Sequence, residues 1–222
     1  MPTYQEITDK IARIATPTPS VDILRTVERL ILNYRALLIR RDLENSRSYH
    51  DSLVQTIPEI EVEEVPTIGS MEFRTFSSQR IPSILRLKSG YAIRFAGSPS
   101  RNVSYNYVDP SALRIVIHSR YAYKNNIYTI IDGKIKILVS DHSYSEEDTD
   151  VDYPEKIRLE AIFENPAALF DYVDEDGKRL YDLDTEFPIT EDLEQQITQS
   201  ILSTEAQLFN PARVNEIHTD PQ

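Results

Sequence analysis

Near the start of the chain, apolar residues recur every three or four positions. Between Ser20 and Arg41 they fall at Leu24, Val27, Ile31, Tyr34 and Leu38, with a second row at Ile23, Leu30 and Leu37. That spacing lays apolar stripes along a helix and predicts a long one over about 20–44. Ser20 suits its N-cap, because a hydroxyl accepts from an amide two or three residues on. Asp22 in the first turn and Arg40 and Arg41 in the last would complement the helix dipole. Upstream, Ile7, Ile11 and Ile14 predict a shorter helix. It must stop before Thr16-Pro17-Thr18-Pro19, since proline disfavours helix in the residue preceding it.

After Pro58 the period shortens to that of strands. Ile60, Val62 and Val65 alternate with glutamates, and Met71 to Phe76 offers a second strand. Ser77 to Ser83 reads as a turn or edge, because Pro82 cannot donate to a ladder. Ile84 to Phe95 predicts a hairpin about Ser89-Gly90, and Tyr105 to Val108 and Leu113 to His118 predict two short strands. Ile127 to Val139 predicts a hairpin turning at Asp132-Gly133, a dipeptide suited to the type I′ turn. Counted together these are about seven or eight strands between Glu59 and Val139. Lys156 to Asn165 then returns to the sheet, and Asn165-Pro166 opens a short helix with proline at its first position.

Val173 to Pro188 reads as a charged connection. Thr190 caps a last helix with Leu193, Ile197, Ile201 and Leu208 on one face, and the chain after Asn210-Pro211 reads as a disordered tail. The fold class is therefore α+β: N-terminal helices, a central antiparallel β sandwich or small barrel, and a C-terminal helix. The expected division is 1–58 helical, 59–164 β-rich and 165–222 helical with a flexible tail, the first and last forming one compact unit.

Composition narrows the chemistry. The 222 residues contain no cysteine, which removes disulfides, thiolate metal sites and cysteine nucleophiles. No run of about eighteen apolar residues occurs, and the N-terminus has no apolar core of signal-peptide length, so a soluble protein is expected. A net charge of −12 argues against general nucleic-acid binding, which needs a basic face. His50, His118, His142 and His218 form no metal-binding spacing. The stretch with Asp174, Asp176 and Gly177 fails as a calcium loop, because Tyr172 and Leu183 stand where carboxylates are required. Nucleophile-elbow, phosphate-loop and dinucleotide signatures are absent, so neither an enzyme nor a cofactor is expected.

Two charged features stand out. Arg25, Arg29, Arg35, Arg40 and Arg41 make the long helix basic within an acidic protein, although Glu28 and Asp42 offer local ion pairs. The polar stretch Asp141 to Asp152 carries Glu146, Glu147, Asp148, Asp150 and Asp152. An arginine helix on one subunit and an acidic loop on the next are complementary patches, and these ten residues are the candidate inter-subunit contact.

Three segments in order carry a resemblance: YRALLIRRDLENSR; QRIPSIL with the YNY to IYTIIDGKIKILV hairpin; and IRLEAIFENPAALFDY with FPITEDLEQQITQSILSTE. Together they resemble the ring, or head-to-tail connector, proteins in the neck of short-tailed crAss-like phages. The resemblance implies a non-enzymatic virion protein, assembled in the host cytoplasm, that forms a ring with copies of itself, usually twelve. Its implied partners are the portal and other ring and tail proteins, with DNA passing through the channel unbound and no membrane involved. The alternative is a tail accessory or receptor-binding β module whose tyrosine-rich loops bind sugars; the thirteen tyrosines fit it, but the absence of tryptophan speaks against it.

Overall fold

The computed structural model describes residues 2–46, 50–66, 73–119, 126–140, 154–174 and 176–205. The fold is α+β, with helices at both ends of the sequence and a mostly antiparallel β region between them. The chain divides into two compact units: residues 1–53, 164–166 and 181–222 form one, and residues 54–163 and 167–180 the other.

The first unit is helical. Helix α1 is Tyr4–Ala15, and Thr3 and Glu6 close a capping box at its start: the Thr3 amide donates to Glu6 Oε2 at 2.8 Å and the Glu6 amide to Thr3 Oγ1 at 3.2 Å. The helix ends at Thr16, which is extended as Pro17 demands. Its buried row is Ile7, Thr8, Ile11 and Ala12, whereas Ile14 is 57% exposed. The expected Ile7-Ile11-Ile14 stripe is thus corrected at its last member.

Helix α2 is Val21–Ser46, and the Ile23 amide donates to Ser20 Oγ at 3.4 Å. Because Leu43 is buried, α2 runs a turn beyond the arginines, and its last turn holds no basic residue. Arg40 and Arg41 are therefore not the dipole-complementing last turn that the spacing predicted. Thr190 Oγ1 accepts from the Leu193 amide at 3.3 Å, and three acids follow within the first turn of the C-terminal helix, Glu191–Thr204. Leu193, Ile197 and Ile201 face its core, while Leu208 lies outside the described residues. The stretch before it is more than a charged connection: Tyr181, Phe187 and Ile189 are buried, Phe187 stacks on Tyr4 at 4.9 Å, and its amide donates to the Pro2 carbonyl.

The second unit is a nearly closed barrel. Its strands are β1 Gln55–Val65, β2 Phe73–Arg80, β3 Arg86–Leu87, β4 Gly90–Tyr91, β5 Ile93–Gly97, β6 Asn106–Tyr107, β7 Ile127–Ile131, β8 Lys134–Ser140 and β9 Lys156–Ala161. Seven of them form one sheet in the order β5-β9-β1-β2-β8-β7-β6, antiparallel except for β6 and β7. The outer strands nearly meet. Gly97 bridges Ser104, the Tyr105 amide donates to the Ala96 carbonyl, and the Ser98 amide donates to the Val103 carbonyl. These bonds tie β5 to the residues leading into β6.

The hairpin at Asp132-Gly133 is present as predicted, with φ of 54° and 73° at the two turn residues, as a type I′ turn requires. The hairpin at Ser89-Gly90 is β3 paired with β4, and Gly90 has φ of 135°. Ser77 to Arg80, read as a turn or edge, continues β2 instead, pairing with β8 as far as Lys134.

Leu113 to His118 is also corrected: Leu113–Ile117 is a short helix. Leu113 and Ile117, four apart, both pack into a cluster with Phe73, Ile127 and Leu138, while Ile115 is 76% exposed. A five-residue stretch this short fits either period, and here tertiary burial selects the helical one.

Candidate functional site

The five arginines of α2 do not share a face. At about 100° per residue, Arg25, Arg29 and Arg40 fall within about 60° of arc. Arg25 and Arg29 are exposed, and among the described residues neither is drawn into an ion pair. Arg40 approaches Glu164 at 4.0 Å with both side chains over 40% exposed, a contact worth little in water. Arg41 lies on another side of the helix, where Nη2 donates to Gln196 of the C-terminal helix at 2.9 Å and Nε meets Asp42 at 3.4 Å.

Arg35 is corrected outright as a surface residue: it is 0% exposed. Its Nε donates to the Pro188 carbonyl at 3.0 Å, and its guanidinium lies 5.4 Å from the centroid of the Phe187 ring. Burial pulls its pKa down to about 9, with nearby Tyr181 acting the other way, so the group stays charged at neutral pH. The reason is visible in the spacing. Val27, Ile31, Arg35, Ile39 and Leu43 recur at four-residue steps and are all buried, and Arg35 occupies the centre of that row. The acidic candidates Glu146, Glu147, Asp148, Asp150 and Asp152 lie outside the described residues.

On the barrel, sequence reading missed a second charged group. Glu160 of β9 is 1% exposed, and three arginines from different segments converge on its carboxylate. Arg94 of β5 donates to Oε2 from Nε at 3.1 Å, Arg158 of β9 donates to Oε1 at 3.0 Å, and Arg101 bonds Oε1 from the turn after β5. Arg101 has φ of 62° and its guanidinium lies 5.8 Å from the Phe95 ring. Arg158 and Glu160, two apart on a strand, must share a face, and this was the one signal available in sequence. That Arg101 reaches them depends on the turn.

Burial alone would raise the Glu160 pKa; the bonds from Arg101, Arg158 and Arg94 outweigh it and hold the carboxyl below its ordinary range. A carboxylate with a lowered folded pKa contributes stability above its unfolded value of about 4.3, and loses it as pH falls through the folded value. Glu160→Gln is therefore expected to lower stability at neutral pH and to flatten the decline in unfolding temperature between about pH 5 and 3, as followed by circular dichroism at a series of pH values.

Asp174 is occupied in a turn, its Oδ1 accepting from the amides of Asp176 and Lys178 at 3.0 and 2.8 Å. Among the described residues no cluster of three or more acids or histidines suits a metal ion, and no helix is long and apolar enough to cross a membrane.

A search of curated proteins finds no match. A family model described as phage tail ring protein 2 of crAss-like phages matches residues 6–217, which takes in both compact units. The chain belongs to the phage tail ring protein 2 family.

Proposed function

We propose that this protein is a non-enzymatic subunit of an oligomeric ring in the phage neck and tail, joining portal to tail and continuing the DNA channel. The observation that carries this reading, beside family membership, is the stripe of Arg25, Arg29 and Arg40 on a subunit of net charge −12. A ring closes through heterologous contacts, which need two different complementary patches on each copy. The arginine stripe is one patch. The other is an acidic surface of the neighbour, for which the stretch containing Glu146, Glu147, Asp148, Asp150 and Asp152 is the candidate by charge.

Twelve copies, the usual number in the resembling proteins, would line a channel with strongly negative potential. DNA passes such a wall without adhering, because phosphates find few cations to displace their counterions. The triple variant Arg25→Glu, Arg29→Glu, Arg40→Glu is expected to keep the fold, since all three side chains are at least partly exposed, and to reduce ring formation at least tenfold by mass photometry. Rings of unchanged abundance would remove the stripe from the interface.

A further inference from the structure

The ladder between β1 and β2 stops early. Pairing runs from Val65↔Thr75 to Val62↔Ser78. Continued in the same register, it would join Glu61 to Gln79 and, three steps later, Pro58 to Pro82. Instead the first half of β1 pairs with β9 on its other side, with a register shift between Ile57 and Ile60, and β2 shifts register before Arg80 meets Lys134 of β8. The strands diverge. Residues 58–61 and 79–82, the two sides of the missing ladder, wall an open cleft of about 960 Å3, with Tyr172 and its neighbours as a third side. The two prolines at its far end cannot donate, which keeps the strands from zipping shut there.

A gap between two diverging strands is a setting for β-strand addition; on the β2 side the Gln79 carbonyl accepts from Ser78 Oγ at 2.6 Å and the Arg80 carbonyl from the Tyr172 hydroxyl at 3.4 Å, contacts that an incoming segment would have to share or displace. Four residues on each side correspond to about 13 Å of strand. The lining holds four carboxylates, Glu59, Glu61, Asp171 and Asp174, against Arg80 and Lys156.

We propose that this cleft receives the C-terminal segment of a second copy, within residues 206–217. The family match extends to residue 217, well beyond Glu205 and the end of the last helix. Fully extended, the segment's twelve residues would reach about 40 Å, and a proline such as Pro211 disfavours helix in the residue before it. Ala212 to Ile217 supplies Val214 and Ile217 for burial, Arg213 for the carboxylates of the cleft and Glu216 for Arg80 and Lys156. Such an exchange of arms is heterologous, so it supports ring closure. It rests on the ring reading for the presence of a neighbour.

The test places p-benzoylphenylalanine at exposed Gln79 in the full chain, prepared as an equal mixture of 14N and 15N protein. Samples are irradiated and the cross-linked peptides identified by mass spectrometry, with particle mass measured by mass photometry in parallel. The proposal expects capture of a peptide from 206–217, with about half of the pairs mixed in isotope. Capture of another segment, capture only within like-isotope pairs, or no capture overturns it. Rings without mixed pairs overturn the arm exchange and leave the ring reading standing; particles of monomer mass without mixed pairs tell against both.

Discussion

Replacing Gly97 with valine is expected to destabilise the barrel by about 3 kcal/mol or more, because the added side chain has nowhere to go. Gly97 ends β5 and bridges Ser104 at the seam where the sheet comes nearest to closing. A Cβ there would overlap the Val103 carbonyl oxygen, stand 2.6 Å from the Phe95 ring and lie 3.1 Å from the Ser104 Cα. Two of these obstacles are backbone, which moves only if the seam opens. Opening would cost the bonds from Tyr105 to Ala96 and from Ser98 to Val103, and would draw Arg101 away from Glu160. Chemical denaturation followed by tyrosine fluorescence gives the measurement. The barrel transition should move to lower denaturant, and an unchanged midpoint would show that the seam contributes little.

The second large effect is expected at Arg35. Arg35→Ala removes the bond to the Pro188 carbonyl, leaves the Phe187 ring without its cation and opens a cavity in the centre of the α2 row, for about 2–4 kcal/mol. Arg35→Met fills much of the same volume without a buried charge, and is expected to cost less than Arg35→Ala. The order of the two variants in thermal unfolding separates the contribution of packing from that of the hydrogen bond. Neither is expected to behave like the exposed triple variant, which should fold normally and fail in assembly. That contrast divides the arginines of one helix by role.

Much of the fold was legible because it rests on local rules. The caps at Ser20 and Thr190 follow from side chains that bond nearby amides, and the Asp132-Gly133 turn from two residues that tolerate positive φ. Errors fell where two local rules compete. Leu113–Ile117 is too short for its period to be told, and β2 runs through residues that looked like a turn because its partner β8 lies more than fifty residues away in sequence.

The candidate site was legible only in composition. Five arginines on one helix marked a basic element, but their division into an exposed stripe, a buried anchor and a partner for the C-terminal helix depends on which face of α2 meets its neighbours. Of the Glu160 cluster only Arg158, two residues away on the same strand, was legible, since the other two arginines come from other segments.

By itself, then, the sequence determined the long helices, the hairpins, the acidic balance and the likeness to ring proteins, all properties set by neighbours along the chain. Tertiary structure alone decided that Arg35 is core, that four arginine and glutamate side chains form one cluster, that the barrel nearly closes at Gly97 and that it parts between β1 and β2. The Arg35 and Glu160 contacts join residues distant in sequence, and such contacts form only where burial and register bring the segments together.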